Sequence, residues 1–146
     1  MMDLNSLFVL ANVSVLPAWL LLVFAPSTAV TRALVHSAVF PVVLGITYVI
    51  GIVTSAPTGS VDMGSLSGLT AAFMNPHMML VGWVHYLVFD LFVGAWEARD
   101  ASRRGINHLF VVPCLILTFM LGPTGLLLYL VIRYFKTRST TLVEVA

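Results

Sequence analysis

Two ionisable side chains, His85 and Asp90, lie inside a long apolar segment of the sequence. The segment covers residues 78–100, MMLVGWVHYLVFDLFVGAWEARD, and is long enough to cross the hydrocarbon core of a bilayer. Ionisable groups at that depth are costly, so they indicate a functional site by default. The available chemistry is proton transfer, with Asp90 as an acid or, when paired, as a base. The complementary group would be His85, Tyr86 or His77.

The polar and aromatic side chains of this segment fall on two faces of an ideal helix. One face carries Trp83, Tyr86, Asp90 and Glu97. The other, about 140° from Asp90, carries His85, Phe89, Phe92, Trp96 and Arg99. An aromatic surface beside an acid suits an elongated, mostly apolar substrate. We predict that the catalytic residues are Asp90, His85 and His77. We predict that the substrate-binding residues are Asn75, Trp83, Tyr86, Phe89, Trp96 and Glu97.

Each of these residues also has a structural alternative. Asp90 could be a hydrogen-bonding group inside a bundle, and His85 could bond to a backbone carbonyl. Glu97 could pair with a nearby arginine at the membrane interface. The aromatic side chains could be packing or membrane-interface residues.

The composition predicts an integral membrane protein. Of the 146 residues, 60% are hydrophobic and 9% are charged, which leaves too little polar surface for a soluble domain of this length. The net charge of +1 excludes the basic surface of a nucleic-acid-binding protein. Cys114 is the single cysteine, so no internal disulfide can form, and we expect it to be an inert packing residue.

Four apolar stretches predict an all-α, four-helix membrane bundle that forms a single domain. The predicted spans are residues 7–25, 33–54, 78–97 and 109–135, with a long loop at 55–76 that carries either a short interfacial helix or no regular structure. Gly122-Pro123-Thr124-Gly125 interrupts the fourth span. That span is therefore one helix kinked at Pro123 or two half-spans in a re-entrant hairpin, and we favour the kinked helix.

The distribution of arginine predicts the orientation. The connection at 98–107 holds three arginines and should be cytoplasmic, whereas the N-terminus and the long loop lack arginine and should share the opposite side. A simple crossing would place the basic residues at 133–138 opposite those at 98–107, so charge alone leaves the side of the C-terminus open. Asp3 and the absence of Lys or Arg before the first span argue that this span is retained and is not a cleaved signal peptide.

No motif predicts a metal or a cofactor. The four histidines, His36, His77, His85 and His108, offer no pair on one helical face, and histidine boxes of the kind found in di-iron membrane enzymes are absent from the sequence. The glycine clusters lack the Lys-Ser/Thr of a phosphate-binding loop, and no serine has the context of a nucleophile elbow. We therefore predict neither a bound metal nor a cofactor.

The sequence resembles one known family, most specifically in its second half. The similar segments are Asn75-Pro76-His77-Met78-Met79, Gly82-Trp83-Val84-His85-Tyr86, Phe89-Asp90-Leu91-Phe92-Val93-Gly94, Trp96-Glu97 and Gly122-Pro123-x-Gly125-Leu126-Leu127-Leu128-Tyr129. They look like the signature of the abscisic-acid-deficient-four-like family. Its plant members are plastid membrane proteins associated with formation of neoxanthin from violaxanthin, so the resemblance implies a carotenoid-type substrate.

The reaction that the resemblance implies opens an epoxide and generates an allene without net oxidation, so one acid and one base suffice. Asp90 and His85 fit these roles by their position on the helix, and the family itself supplies no catalytic assignment. The chain lacks an Arg- and Ser-rich transit segment before its first span, which predicts a bacterial member in the inner membrane. Its substrate then need not be violaxanthin.

Three functions follow from these observations. The first is a membrane protein that binds a carotenoid or related isoprenoid and isomerises it by acid–base chemistry. The second is a non-catalytic protein that binds a lipid or carotenoid, or assists a partner enzyme, with Asp90 stabilising the bundle. The third is a small proton or ion pathway, which is disfavoured because the sequence shows one deeply placed acid and no relay. Membrane lipids are expected partners, nucleic acid is not, and a homo-oligomer is compatible with each function.

Overall fold

Seven helices account for most of the residues that the structure, a computed structural model, describes, namely 3–55 and 62–143. The helices are α1 (Leu4–Phe24), α2 (Ala29–Leu34), α3 (Val39–Ser55), α4 (Leu66–Phe73), α5 (Pro76–Arg103), α6 (His108–Leu121) and α7 (Pro123–Thr137). The predicted all-α fold is confirmed. The short helix expected within the long loop is present as α4, while residues 56–61 of that loop lie outside the described ranges.

Three segments are long and apolar enough to cross a membrane: Leu4–Phe24, Ala29–Thr54 and Pro76–Arg103. The second combines α2 and α3, with a break at residues 35–38 inside the predicted span. α5 is the central helix, because it contacts α1, α3, α4, α6 and α7. Many outward side chains of α1 and α3 are large, apolar and exposed, as expected for helices that face lipid.

Polar side chains fix where the helices begin. Asp3, Thr28, Ser65, Asn75 and Asn107 each accept a hydrogen bond from a backbone N–H in the first turn of the helix that follows. Such caps satisfy donors that have no partner within the helix. The Asn-Pro pair that indicates a turn in the sequence therefore begins α5, with the proline in its first turn.

The fourth apolar stretch folds back on itself at Gly122. This residue separates α6 from α7 and has a φ of 47°, a conformation that favours glycine. α7 returns along α6, and a Cβ atom at Gly125 would collide with the backbone of Cys114 and Thr118. The single kinked helix that we favoured is therefore wrong, and the alternative of two short helices folded back as a hairpin is correct. Pro123 begins α7, a position where proline costs no hydrogen bond, instead of bending one long helix.

Each arm of the hairpin is shorter than a membrane span. α6 has 14 residues and α7 has 15, which corresponds to about 21–23 Å against about 30 Å of hydrocarbon. His108, at the start of α6, bonds through Nε2 to the backbone oxygen of Val23 near the end of α1, at 2.8 Å. The hairpin therefore enters from the end of the bundle where α1 and α5 finish.

The hairpin places all seven Lys and Arg residues at one end of the bundle. Arg133 on α7 contacts Asp100 near the end of α5, so the basic residues at 133–138 lie on the same side as those at 99–104. Arg32 on α2 lies at this end too. We call it the basic end. The fold removes the ambiguity left by the charge pattern, since one side now carries all the positive charge.

We expect cysteines placed at Ser102 and Lys136 to react with membrane-impermeant thiol reagents from the same side, the cytoplasmic one. A cysteine at Ser67 on α4 should react from the opposite side. All three positions are exposed, and the native Cys114 is fully buried. Labelling in intact cells and in opened membranes measures the sidedness. Reaction of the Lys136→Cys and Ser102→Cys variants from opposite sides would contradict the hairpin.

Candidate functional site

Asp90 lies halfway along α5 and faces the turn between α6 and α7. A Cβ atom at Gly122 would lie 3.0 Å from Asp90 Oδ1, so the carboxyl group is beside the N-terminal end of α7, where a negative group is favoured. Asp90 Oδ2 is buried and has no hydrogen-bond partner among the described residues. The Tyr86 hydroxyl lies beside the same carboxyl and donates to the backbone oxygen of Phe119 at 3.3 Å.

Glu97 is a second acid on this face of α5 and is fully buried. The Thr118 hydroxyl on α6 lies 3.0 Å from Oε1 and 3.2 Å from Oε2 of Glu97. The hydroxyl has a single proton to donate, so the two carboxyl oxygens share one hydrogen bond. The expected pairing of Glu97 with an arginine at the membrane interface is not seen among the residues that the structure describes.

Asp100 forms the most extensive polar cluster in the described part of the chain. Its side chain accepts hydrogen bonds from the Tyr129 hydroxyl at 2.6 Å, Arg133 Nε at 2.8 Å and Arg104 Nε at 2.8 Å. Asp100 and Arg133 are each 1% exposed, and Tyr129 is fully buried. Two guanidinium groups and a hydroxyl therefore satisfy this carboxylate away from solvent. The cluster ties α7 to the end of α5.

The two arginines of the Asp100 cluster also bind the segment that follows α7. Arg133 Nη2 donates to the backbone oxygen of Thr141 at 2.6 Å, and Arg104 Nη2 donates to that of Val143 at 2.9 Å. The segment after α7 therefore packs on the same buried ion pair that closes the hairpin.

The structure thus places three acids along one side of α5, whereas the sequence predicted a single acid deep within a membrane span. Asp90, Glu97 and Asp100 all face the α6–α7 hairpin. The sequence analysis did not predict that Asp100, Tyr129 and Arg133 are buried together. It treated Arg133 as one of the basic residues that flank a membrane span. A usable signal was present: Asp100 lies close to the helical face of Asp90 and Glu97, and Tyr129 and Arg133 are one turn apart on α7.

His85 lies on a different side of α5 from Asp90. Its ring contacts Tyr48 on α3, with centroids 5.5 Å apart, and Phe89, with centroids 4.6 Å apart. These residues line an open groove between α3 and α5. The structure does not bring His85 to Asp90, because five residues along a helix correspond to about 140° of rotation and α3 occupies that side. The predicted acid–base pair is therefore not assembled within this chain.

The predicted aromatic residues contact three different neighbours. Trp83 Nε1 donates to Asn12 Oδ1 on α1 at 3.2 Å. Trp96 packs edge-on against Tyr129 on α7, with ring centroids 5.5 Å apart. Phe89 is 55% exposed in the groove beside α3. These side chains do not line one common pocket, so the substrate site predicted from their spacing is not formed as a unit.

An apolar cavity of about 500 Å³ lies between α1, α3 and α5. We call it the interhelical cavity. On α3 it extends from Val43 to Thr54, which is about 16 Å of helix. Its walls are mainly leucine, valine and isoleucine, and its polar side chains are Ser14, Thr47, Tyr48, Thr54 and His77.

His77 and Asn75 have different roles at the start of α5. Asn75 caps the helix, with Oδ1 accepting from the backbone N–H of His77 at 2.9 Å. The His77 side chain lies at the end of the interhelical cavity. Of the nine predicted site residues, His77 is the one that lines this cavity. Asn75 caps the helix start and does not line the interhelical cavity.

The interhelical cavity and the three acids lie on different sides of α5. The interhelical cavity is apolar with hydroxyl and imidazole groups on its walls, a pattern typical of sites for small apolar ligands. The acids lie on the other side of α5, against the hairpin. Within the described residues, no three His, Cys, Asp or Glu side chains are close enough to hold a metal ion together.

Comparisons with known proteins agree with the resemblance seen in the sequence. The chain is 26% identical over 138 residues to "Protein ABA DEFICIENT 4, chloroplastic" of Arabidopsis thaliana, covering 88% of this chain and 61% of the relative. The chain therefore spans about three fifths of the length of that relative. No solved structure matches the chain. A family profile described as ABA DEFICIENT 4-like matches residues 6–129. This range covers most of the chain, and the chain therefore belongs to that family.

Proposed function

We propose that this protein binds a carotenoid or a related isoprenoid within the membrane, in the interhelical cavity. The observation that carries the proposal is the shape and lining of that cavity. It is elongated, and its walls come from α1, α3 and α5, the helices that form the three membrane-length segments. The family resemblance supports the same ligand class, since it implies a carotenoid-type substrate.

The length of the cavity suits part of a long polyene. About 16 Å of apolar wall accommodates a segment of an isoprenoid chain, and the remainder would lie in the surrounding lipid. Because Ser14, Thr47 and Thr54 already donate to backbone oxygens of their own helices, their remaining hydrogen-bonding capacity is as acceptors. Such a cavity favours a ligand that is mostly hydrocarbon with a hydroxyl group at its end.

We expect Thr47→Trp to lower the amount of co-purified pigment about tenfold, the effect of losing about 1.4 kcal/mol of binding. The indole would fill the interhelical cavity that Thr47 lines. Val53→Trp is the matched control, because Val53 is on the same helix, is 71% exposed and lies outside that cavity. Absorbance and mass spectrometry of protein purified from carotenoid-producing cells give the ratio. Equal pigment in both variants, or none in the unmodified protein, would reject the proposal.

The buried, unbonded Oδ2 of Asp90 favours a second candidate function, isomerisation of an isoprenoid by acid–base chemistry at the face of α5 that meets the hairpin, opposite the interhelical cavity. A carboxyl oxygen without a partner is available to exchange a proton with a ligand. Because His85 faces α3, the group nearest to assist Asp90 is Tyr86 and not His85. In this candidate, Asp90 transfers the proton, and the Tyr86 hydroxyl beside it is held by its hydrogen bond to the backbone oxygen of Phe119.

Asp90→Asn should retain the fold and any bound pigment while lowering isomer formation by about 10²–10⁴-fold. The amide keeps the shape of the side chain but cannot exchange the proton. Asp3→Asn is the control, since Asp3 is exposed and asparagine caps a helix equally well. Chromatography of carotenoid isomers from membranes carrying each variant provides the measurement. Undiminished conversion by Asp90→Asn would eliminate Asp90 as the proton-transfer group and leave binding as the function.

A further inference from the structure

A cavity of about 410 Å³ lies at the basic end of the bundle, between the start of α2 and the end of α5. We call it the basic cavity. Its polar lining consists of Ser27, Arg32, His36, Arg99, Ser102 and Arg103. The three guanidinium groups and two hydroxyls are groups that donate hydrogen bonds to phosphate oxygens, and the His36 imidazole contacts one of the guanidinium groups, that of Arg99. They come from separate parts of the sequence, and only the fold brings them around one space.

Hydrogen bonds hold the lining of the basic cavity in place. His36 Nε2 is 3.1 Å from the backbone oxygen of Pro26, and His36 Nδ1 is 3.4 Å from Arg99 Nη1. The two contacts are satisfied together when Nε2 carries the proton and Nδ1 accepts from the guanidinium. Arg32 Nη1 donates to the backbone oxygen of Ser27. The imidazole thus orients Arg99, and the loop before α2 orients Arg32.

An apolar pocket of about 300 Å³ adjoins the basic cavity and shares His36 and Arg99 with it. Its other walls include Phe40 and Leu44 from α3 and Leu91 and Phe92 from α5. The pocket extends from the basic end toward the middle of the bundle. His36 and Arg99 therefore lie between a cavity lined by charged groups and a pocket lined mainly by apolar side chains.

We propose that these two adjoining cavities bind one anionic phospholipid, with its phosphate in the basic cavity and part of an acyl chain in the apolar pocket. Basic pockets between helices at the positively charged side of a membrane protein bind lipid headgroups. The apolar pocket favours a lipid over a free anion, because an inorganic phosphate would leave its hydrocarbon walls unused. Leu44 lines both the apolar pocket and the interhelical cavity, but the polar groups of the two sites are different, so this proposal does not depend on the isoprenoid proposal.

The test compares lipids that have identical acyl chains and different headgroups, each added to the protein in neutral detergent. Phosphatidylglycerol, phosphatidylcholine or inorganic phosphate is added, and native mass spectrometry measures retained lipid while thermal unfolding measures Tm. We expect retention of phosphatidylglycerol above phosphatidylcholine, and about fivefold weaker retention for each arginine removed in Arg32→Gln and Arg103→Gln. Lys136→Gln, an exposed residue on α7 at the same end, should leave retention unchanged.

A second pair of variants keeps the test independent of folding. Ser102→Glu would place a carboxylate in the basic cavity without removing an arginine, whereas Ser102→Gln adds the same bulk without charge. Ser102 is exposed, so both should keep the Tm of the lipid-free protein. Loss of phosphatidylglycerol from Ser102→Glu alone supports the site. Equal retention of both lipids, unchanged retention by the arginine variants, or an equal rise in Tm with inorganic phosphate alone would overturn it.

Discussion

Gly125→Ala is expected to destabilise the protein by about 3 kcal/mol, at the upper end of the cost of overpacking. The added Cβ would collide with the backbone nitrogen of Thr118 and the backbone oxygen of Cys114. Backbone atoms cannot move aside as a flexible side chain does, so α7 must separate from α6. Separation would also pull Arg133 away from Asp100, which adds to the loss.

Gly45→Ala provides the matched control for Gly125→Ala. Gly45 is also inside a helix, but a Cβ there meets no atom within 4 Å. Alanine should therefore be neutral, or stabilising by up to about 1 kcal/mol through helix propensity. Unfolding in detergent, followed by circular dichroism, gives the free energies. Similar stability of the two variants would show that α6 and α7 do not approach as closely as the structure has them.

Asp100→Asn should cost about 3–5 kcal/mol, the usual effect of removing one partner from a buried ion pair. The amide still accepts a hydrogen bond, but Arg133 would remain 1% exposed without a carboxylate to neutralise it. Arg104 would lose its partner at 2.8 Å as well. Because these arginines also bind the backbone at Thr141 and Val143, the segment after α7 should become accessible to proteases.

Two comparisons separate charge from shape at Asp100. Asp3→Asn removes an exposed carboxylate that caps α1, and it should change stability little because asparagine is an equally good cap. Asp100→Asn combined with Arg133→Met removes both charges and should recover part of the loss. Chemical unfolding and limited proteolysis measure the effects. A single Asp100→Asn variant as stable as Asp3→Asn would contradict the buried ion pair.

Local patterns predicted the membrane helices. In a bilayer, a helix provides hydrogen-bond partners for the backbone N–H and C=O groups of an apolar run about 20 residues long. The first three predicted spans accordingly correspond to segments that are helical and long enough to cross a membrane. Asn75-Pro76 and Asn107 mark helix starts because capping depends on neighbouring residues alone. Helical spacing also predicted that Tyr86, Asp90 and Glu97 share a face, as they do against the hairpin.

Tertiary structure decided the parts that depend on residues distant in the sequence. Gly122-Pro123 permits a kink or a turn, and only the contact of Gly125 with α6 shows that the chain returns. Helical periodicity gives the angle between His85 and Asp90 but not which helix occupies each side, so it could not exclude their joining one pocket. The burial of Asp100 required Arg133 and Tyr129, about thirty residues further along the chain. The sequence thus determined which segments are apolar and where helices begin. Packing determined which polar groups meet, because such contacts close long loops, and helical spacing shows which residues share a face but not which residues of another helix they contact.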